Sequence, residues 1–80
     1  MSEIRIAAGA THVFPAGQLG EFLELENRHN VNGVVQYQIG ARPWVNINMA
    51  PNMEFQIQGI NGQQLSVLNG LNNSLYCRWG

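Results

Sequence analysis

Five stretches of this chain alternate apolar with mostly polar residues: Leu23-Glu24-Leu25-Glu26, Val35-Gln36-Tyr37-Gln38-Ile39, Val45-Asn46-Ile47-Asn48-Met49, Met53-Glu54-Phe55-Gln56-Ile57-Gln58 and Leu75-Tyr76-Cys77-Arg78-Trp79. Successive side chains of an extended backbone point to opposite faces, so each run has one face suited to a core and one suited to water. Turn-forming residues separate the runs. Asn32-Gly33, Asn61-Gly62 and Asn69-Gly70 are Asn-Gly pairs, and Pro43 and Pro51 stand between strands, where a ring that fixes φ and lacks an N–H does no harm. Asn32-Gly33 has the composition of a type I′ hairpin turn, and the other two pairs need no role beyond turning the chain.

Strands are therefore expected over residues 3–7, 11–14, 21–26, 34–39, 44–49, 53–58, 63–68 and 74–79. Residues 15–20 read as a loop, because Gly17 and Gly20 would each cost a helix through Leu19, Phe22 and Leu23 about 1 kcal/mol. Turn signals at roughly ten-residue intervals describe a sandwich or small barrel. The expected fold is all-β, a small β-sandwich or jelly-roll-like domain of seven or eight short antiparallel strands. Consecutive hairpins in a meander are the default path, and a jelly-roll-like arrangement is the variant. The expected inward set is Leu23, Leu25, Val35, Tyr37, Ile39, Val45, Ile47, Met49, Met53, Phe55, Ile57, Leu65, Val67, Leu75, Cys77 and Trp79, each worth about 1.5–3 kcal/mol when fully buried. That set fills one core and leaves no room for a large ligand cavity. Residues 1–20 are expected to form an N-terminal arm with short strands, and residues 21–80 the body of a single domain.

Size bears on how such a core is stabilised. A chain of 80 residues buries only about 60–65% of the surface its unfolded form exposes. Small folds compensate with disulfides, a metal or association. A single cysteine, Cys77, excludes an internal disulfide, and His12, His29 and Cys77 lie too far apart in sequence to suggest a metal site. Association is the device left over. Charged residues make up 11% of the chain, against about 25% in ordinary soluble domains. There is no Lys or Asp, and the polar strand positions are mostly Asn and Gln. Exposed sheet edges are usually defended by Lys, Pro or bulges, so the absence of Lys suggests edges covered by partner chains, or else a closed barrel with no edges at all. The four arginines, Arg5, Arg28, Arg42 and Arg78, are scattered and form no basic stripe for nucleic acid. No apolar run approaches the ~20 residues of a membrane span. Met1 to Arg5 lacks the basic start of a secretion signal, so synthesis in a cytosol is expected, and free Cys77 accords with it.

Candidate chemistry is sparse. Glu24 and Glu26 share one strand face about 7 Å apart, near the separation of glycosidase carboxylates. Nothing in the sequence supplies a sugar cleft or raises one of their pKa values, so they read as a solvated strand face. Cys77 alternates in phase with Leu75 and Trp79, and reads as a buried inert thiol and not as the nucleophile of a Cys-His pair. Asn72-Asn73-Ser74 matches a glycosylation pattern without a secretion context. Trp44 and Tyr76 are out of phase with their apolar neighbours and should face outward, where aromatics beside amides suit a sugar or a protein. The binding or interface candidates are Ile4, Arg5, Ile6, His12, Phe14, Trp44, Tyr76 and Arg78. No catalytic residue, metal ligand or cofactor site is expected.

From Leu23 to Trp79 the order of parts is distinctive: a polar strand ending at Asn27, then Val35-x-Tyr37-x-x-Gly40, a strand led by Trp44, a turn at Pro51, another strand, then Gly59-Ile60-Asn61-Gly62-Gln63-Gln64-Leu65-Ser66-Val67. This rhythm resembles the small β-sandwich proteins that tailed bacteriophages place on their virions, namely head decoration (cement) proteins and related fibre-base modules. The resemblance implies a non-enzymatic homo-oligomer, a trimer by preference, that bridges subunits of the major capsid protein or another virion protein, often through an N-terminal arm. It implies a location on the virion, with no membrane or nucleic-acid partner, and carries over no site residues. Two alternatives stand beside it. One is a cytosolic carbohydrate-binding module using Trp44, Tyr76 and the Asn/Gln face. The other is a small inhibitor or accessory protein.

Overall fold

The computed structural model describes residues 1–80. It contains eight strands: β1 Ser2–Ile6, β2 Thr11–Phe14, β3 Leu23–Glu26, β4 Gly33–Ile39, β5 Val45–Met49, β6 Glu54–Ile57, β7 Leu65–Asn69 and β8 Leu75–Trp79. Every alternating run becomes a strand, within one or two residues of its expected bounds. Residues 15–20 hold turns and no helix.

The strands form two four-stranded antiparallel sheets. One has the order β1-β8-β3-β6, the other β2-β7-β4-β5. Only β4 and β5 are sequence neighbours within one sheet, so every other connection crosses between the layers. The meander expected from the short connections is thus replaced by a crossing path. Asn32-Gly33 joins strands of different sheets and makes no hairpin, and neither residue has positive φ. Asn61-Gly62 does adopt the left-handed pair, with φ of 50° and 73°, but it too spans the two layers.

The path repeats. Each strand of the first half begins 42 or 43 residues before its counterpart: Ser2 and Val45, Thr11 and Glu54, Leu23 and Leu65, Gly33 and Leu75. Replacing each strand by the one four places on turns the order of one sheet into that of the other. The turns repeat as well. The Ala10 N–H donates to the Ala7 carbonyl as Met53 does to Ala50, at 3.0 and 3.1 Å, and the Asn69 N–H donates to Ala10 as Asn27 does to Met53, at 3.0 and 2.9 Å. Gly9 and Asn52, matched in these turns, both take positive φ.

Two buried asparagines tie the halves together. The Asn27 amide donates to the carbonyls of Val31, Met49 and Ala50, and its Oδ1 accepts from the His29 N–H. The Asn69 amide donates to the carbonyls of Asn73, Ile6 and Ala7, and its Oδ1 accepts from the Leu71 N–H. In each case one side chain closes its own loop and grips the end of a strand in the other half. Asn69 is therefore more than the turn residue its sequence suggests. Both sit fully buried, where an unpaired polar group is costly, and both are fully bonded.

The core lies between the sheets. Leu23, Leu25, Val35, Ile39, Ile47, Met49, Ile57, Leu65, Val67, Leu75 and Cys77 are buried as their phase requires. Ile6, Phe14, Leu19, Ile60 and Leu71 join them. Tyr37, Met53, Phe55 and Trp79 are partly buried, and Val45 is exposed. Phe14 meets Trp79 edge-on at 5.4 Å. Residues 1–20 are not a separate arm: β1 pairs with β8 along its length, β2 pairs with β7, and Ile6, Phe14 and Leu19 are core residues.

Candidate docking face

The outward residues of the β1-β8-β3-β6 sheet are Glu3 and Arg5, Tyr76 and Arg78, Glu24 and Glu26, and Glu54 and Gln56, set side by side by the register. All their charges except that of Arg5 join one ion network. Arg78 pairs with Glu24, with Glu26 at 3.3 Å and with Glu54 at 3.1 Å. Arg28, just past β3, pairs with Glu3 and Glu26, each at 2.9 Å, and lies 3.9 Å over the Tyr76 ring. Hydrogen bonding to Glu24 raises the Arg78 pKa above its ordinary value, and hydrogen bonding to Glu26 does the same for Arg28.

The outward residues of the β2-β7-β4-β5 sheet are Thr11 and Val13, Ser66 and Leu68, Val34, Gln36 and Gln38, and Asn46 and Asn48. None carries a charge. Gln36 donates to Asn46 Oδ1 at 2.8 Å, and Gln38 to the Arg42 carbonyl at 3.0 Å. Val13 and Val34 are about half exposed, at 49% and 46%. Trp44, in phase with Asn46 and Asn48 just before β5, is 45% exposed.

The repeat makes the contrast sharp. Matched outward positions pair Glu3 with Asn46, Arg5 with Asn48, Glu24 with Ser66, Glu26 with Leu68, Glu54 with Thr11 and Arg78 with Gln36. Every charge on one face is answered by a neutral side chain on the other. Besides Arg5 on β1, two charged residues stand outside the network, Glu21 and Arg42, and both sit in connections. One backbone plan thus carries two surfaces of opposite chemistry.

The structure scatters the residues singled out from sequence. Ile6 and Phe14 are core and unavailable for contact, because their phase on β1 and β2 turns them inward. Ile4 packs against the core, and His12 lies edge-on to Phe14 at 4.5 Å. Arg5, Tyr76 and Arg78 share the charged face, while Trp44 belongs to the neutral side, so Trp44 and Tyr76 cannot stack on one sugar. Cys77 is buried, and burial pushes its thiol up to about 12. No group of three or more His, Cys, Asp or Glu side chains is placed to hold a metal. The one cleft, about 110 Å³, is bounded by Met1, Phe22, Glu24, Arg78, Trp79 and Gly80, and its two charged residues already bind each other. No helix is long and apolar enough to cross a membrane. The sequence shows outward Asn and Gln positions but not their gathering on one uncharged layer, since strand phase tells outward from inward but not which layer an outward residue joins.

No family model matches the sequence, and no curated protein matches it significantly. Solved structures do share its shape. The Drosophila melanogaster CENP-C cupin domain superposes with a TM-score of 0.58 at 16% identity, over 98% of this chain and 58% of that one. Drosophila melanogaster CENP-C bound to CAL1 gives the same score and identity, over 98% of this chain and 62% of that one. The fold is a jelly roll. The chain spans about three fifths of the length of these neighbours, and the likeness is one of fold.

Proposed function

We propose that this protein is a non-enzymatic structural component that works by protein–protein contact within an assembly. One observation carries the reading: a complete sheet face without a charge, on a chain whose matched face holds six. Depletion of charge marks the centre of protein interfaces. A neutral surface of amides, hydroxyls and valines loses little when water leaves it, because amides bond to amides and to backbone without a counter-ion. The interior supports the same reading, since side chains fill the space between the sheets. Drosophila melanogaster CENP-C, a neighbour in shape, has a structure in which it is bound to CAL1, and a protein partner for that neighbour supports the reading.

The setting we propose is the surface of a bacteriophage virion, as a capsid decoration protein acting as a homo-oligomer, on the strength of the strand and turn rhythm from Leu23 to Trp79. Many copies bound across capsid joints would stabilise the shell by mass action. Quantitative mass spectrometry of gradient-purified particles from the source phage tests it. The expected result is this chain in fixed ratio to the major capsid protein. Its absence from intact particles overturns the virion setting.

A further inference from the structure

We infer that the neutral face is the docking surface for a second copy of this chain, packed face to face about a two-fold axis. The inference rests on the reading of that face as a protein interface and names its occupant.

Three observations select a second copy. The first is self-complementarity. In a two-fold interface residues near the axis meet themselves. A charge there would oppose its own copy. An amide is both donor and acceptor, so Gln36 or Gln38 can bond to its counterpart directly. The central residues of the face on β7 and β4 are Leu68, Gln36 and Gln38, with Ser66 beside them almost wholly buried. All are neutral, and the two amides can each donate and accept.

The second is the contrast within the repeat. The charged face has the same strand plan, yet places Arg78 and Glu26 where the neutral face has Gln36 and Leu68. Selection for solubility alone gives no reason to spare one of two equivalent faces. The charged face, Arg5 apart, has instead paired its ions internally, through Arg28 and Arg78.

The third is area. A stable interface buries about 800 Å² on each partner. The chain exposes 4390 Å², so such an interface takes about a fifth of it, and Val13, Val34 and Trp44 give the neutral side exposed apolar surface to bury. Packing two neutral faces buries these half-exposed apolar side chains and leaves both charged faces outward, on opposite sides of the pair. A chain of this size gains the added core that its own length does not provide.

Sedimentation equilibrium of the purified chain, from about 1 µM to about 1 mM to cover weak association, tests the inference. The expected species is a reversible dimer, twice the 8.9 kDa chain mass. Gln36→Glu changes one amide to a carboxylate of the same shape and sets two like charges close to the axis. It should raise the dimer Kd at least tenfold while circular dichroism shows the fold intact. Leu68→Arg should act in the same direction, and Arg5→Gln, on the charged face, should leave the Kd unchanged. A monomer throughout the range, a trimer, or a dimer indifferent to both Gln36→Glu and Leu68→Arg overturns the inference. If the wild-type chain is monomeric but binds virions and Gln36→Glu abolishes that binding, the second copy is excluded while the interface reading stands. If neither association occurs, both fall.

Discussion

Truncating Asn69 to alanine should come close to unfolding the protein. Its amide donates to Asn73, Ile6 and Ala7 at 2.8, 2.9 and 3.2 Å, and its carbonyl accepts from Leu71 at 2.9 Å. The bonds to the Ile6 carbonyl and from the Leu71 N–H are buried. Each buried group left without a partner costs about 1–3 kcal/mol. Ala7 and Asn73 are nearer water and add less. The expected loss is about 3–5 kcal/mol, against the roughly 4–12 kcal/mol total for a chain of this length. The loss has a structural direction, because Asn69 holds the end of β1 to the end of β7. Asn27→Ala should cost a similar amount, since its bonds to Val31, Met49, Ala50 and His29 repeat the pattern. Urea titrations followed by tryptophan fluorescence will read both, because Trp79 packs on Phe14 and its emission shifts on exposure. With a slope near 1 kcal/mol per molar urea, the midpoint should fall by about 3 M or more. A loss under about 1 kcal/mol for either variant would refute the claim that these amides clasp the two halves.

Other expectations follow from single features of the structure. Burial lifts the Cys77 thiol from near 9 to about 12, so the native state keeps a proton that the unfolded chain releases. Its contribution is full below about pH 9 and declines by roughly 1.4 kcal/mol per pH unit above that, until the native thiol itself ionises. Stability curves of wild type and Cys77→Val should therefore diverge between about pH 9 and 12, and parallel curves would count against the burial. A Cβ at Gly70 would collide with the Val34 carbonyl oxygen, whereas one at Gly20 meets nothing. Gly70→Ala should be strongly destabilising and Gly20→Ala neutral or better by up to about 1 kcal/mol, by loss of unfolded-chain freedom, as thermal melts will show. Ser2 pairs with Trp79, so the chain ends lie side by side. A circular permutant joined there by a short linker and opened between β4 and β5 should fold to the same structure, with a matching amide NMR spectrum.

The strands were readable because each is half-buried, and a half-buried strand must alternate. Tyr37 or Ile57 declares its phase in the sequence alone. The layer was not readable. Glu24 and Gln36 both point outward, and only the crossing path sends them to opposite sides of the molecule. Connections hid their contribution for another reason. Leu19, Ile60 and Leu71 plug the core from loops, where no period exists to mark them. Asn27 and Asn69 look like ordinary turn residues until the strand ends they bond are brought beside them. The repeat is faint because the matched inward positions conserve only apolar character, as in Phe14 with Ile57 or Val35 with Cys77, while the outward ones diverged in charge. Ile6 and Phe14 read from sequence as contact residues of a loose arm, but pairing of β1 with β8 and of β2 with β7 draws them into the sandwich.

The most direct test of the neutral face as a buried surface is solvent paramagnetic relaxation in NMR, read at the side-chain amides in concentrated solution. Gln36, Gln38, Asn46 and Asn48 should be shielded from a soluble paramagnetic probe and become accessible on dilution, while Gln56 on the charged face stays accessible throughout. Equal accessibility of the two faces at every concentration would contradict the account.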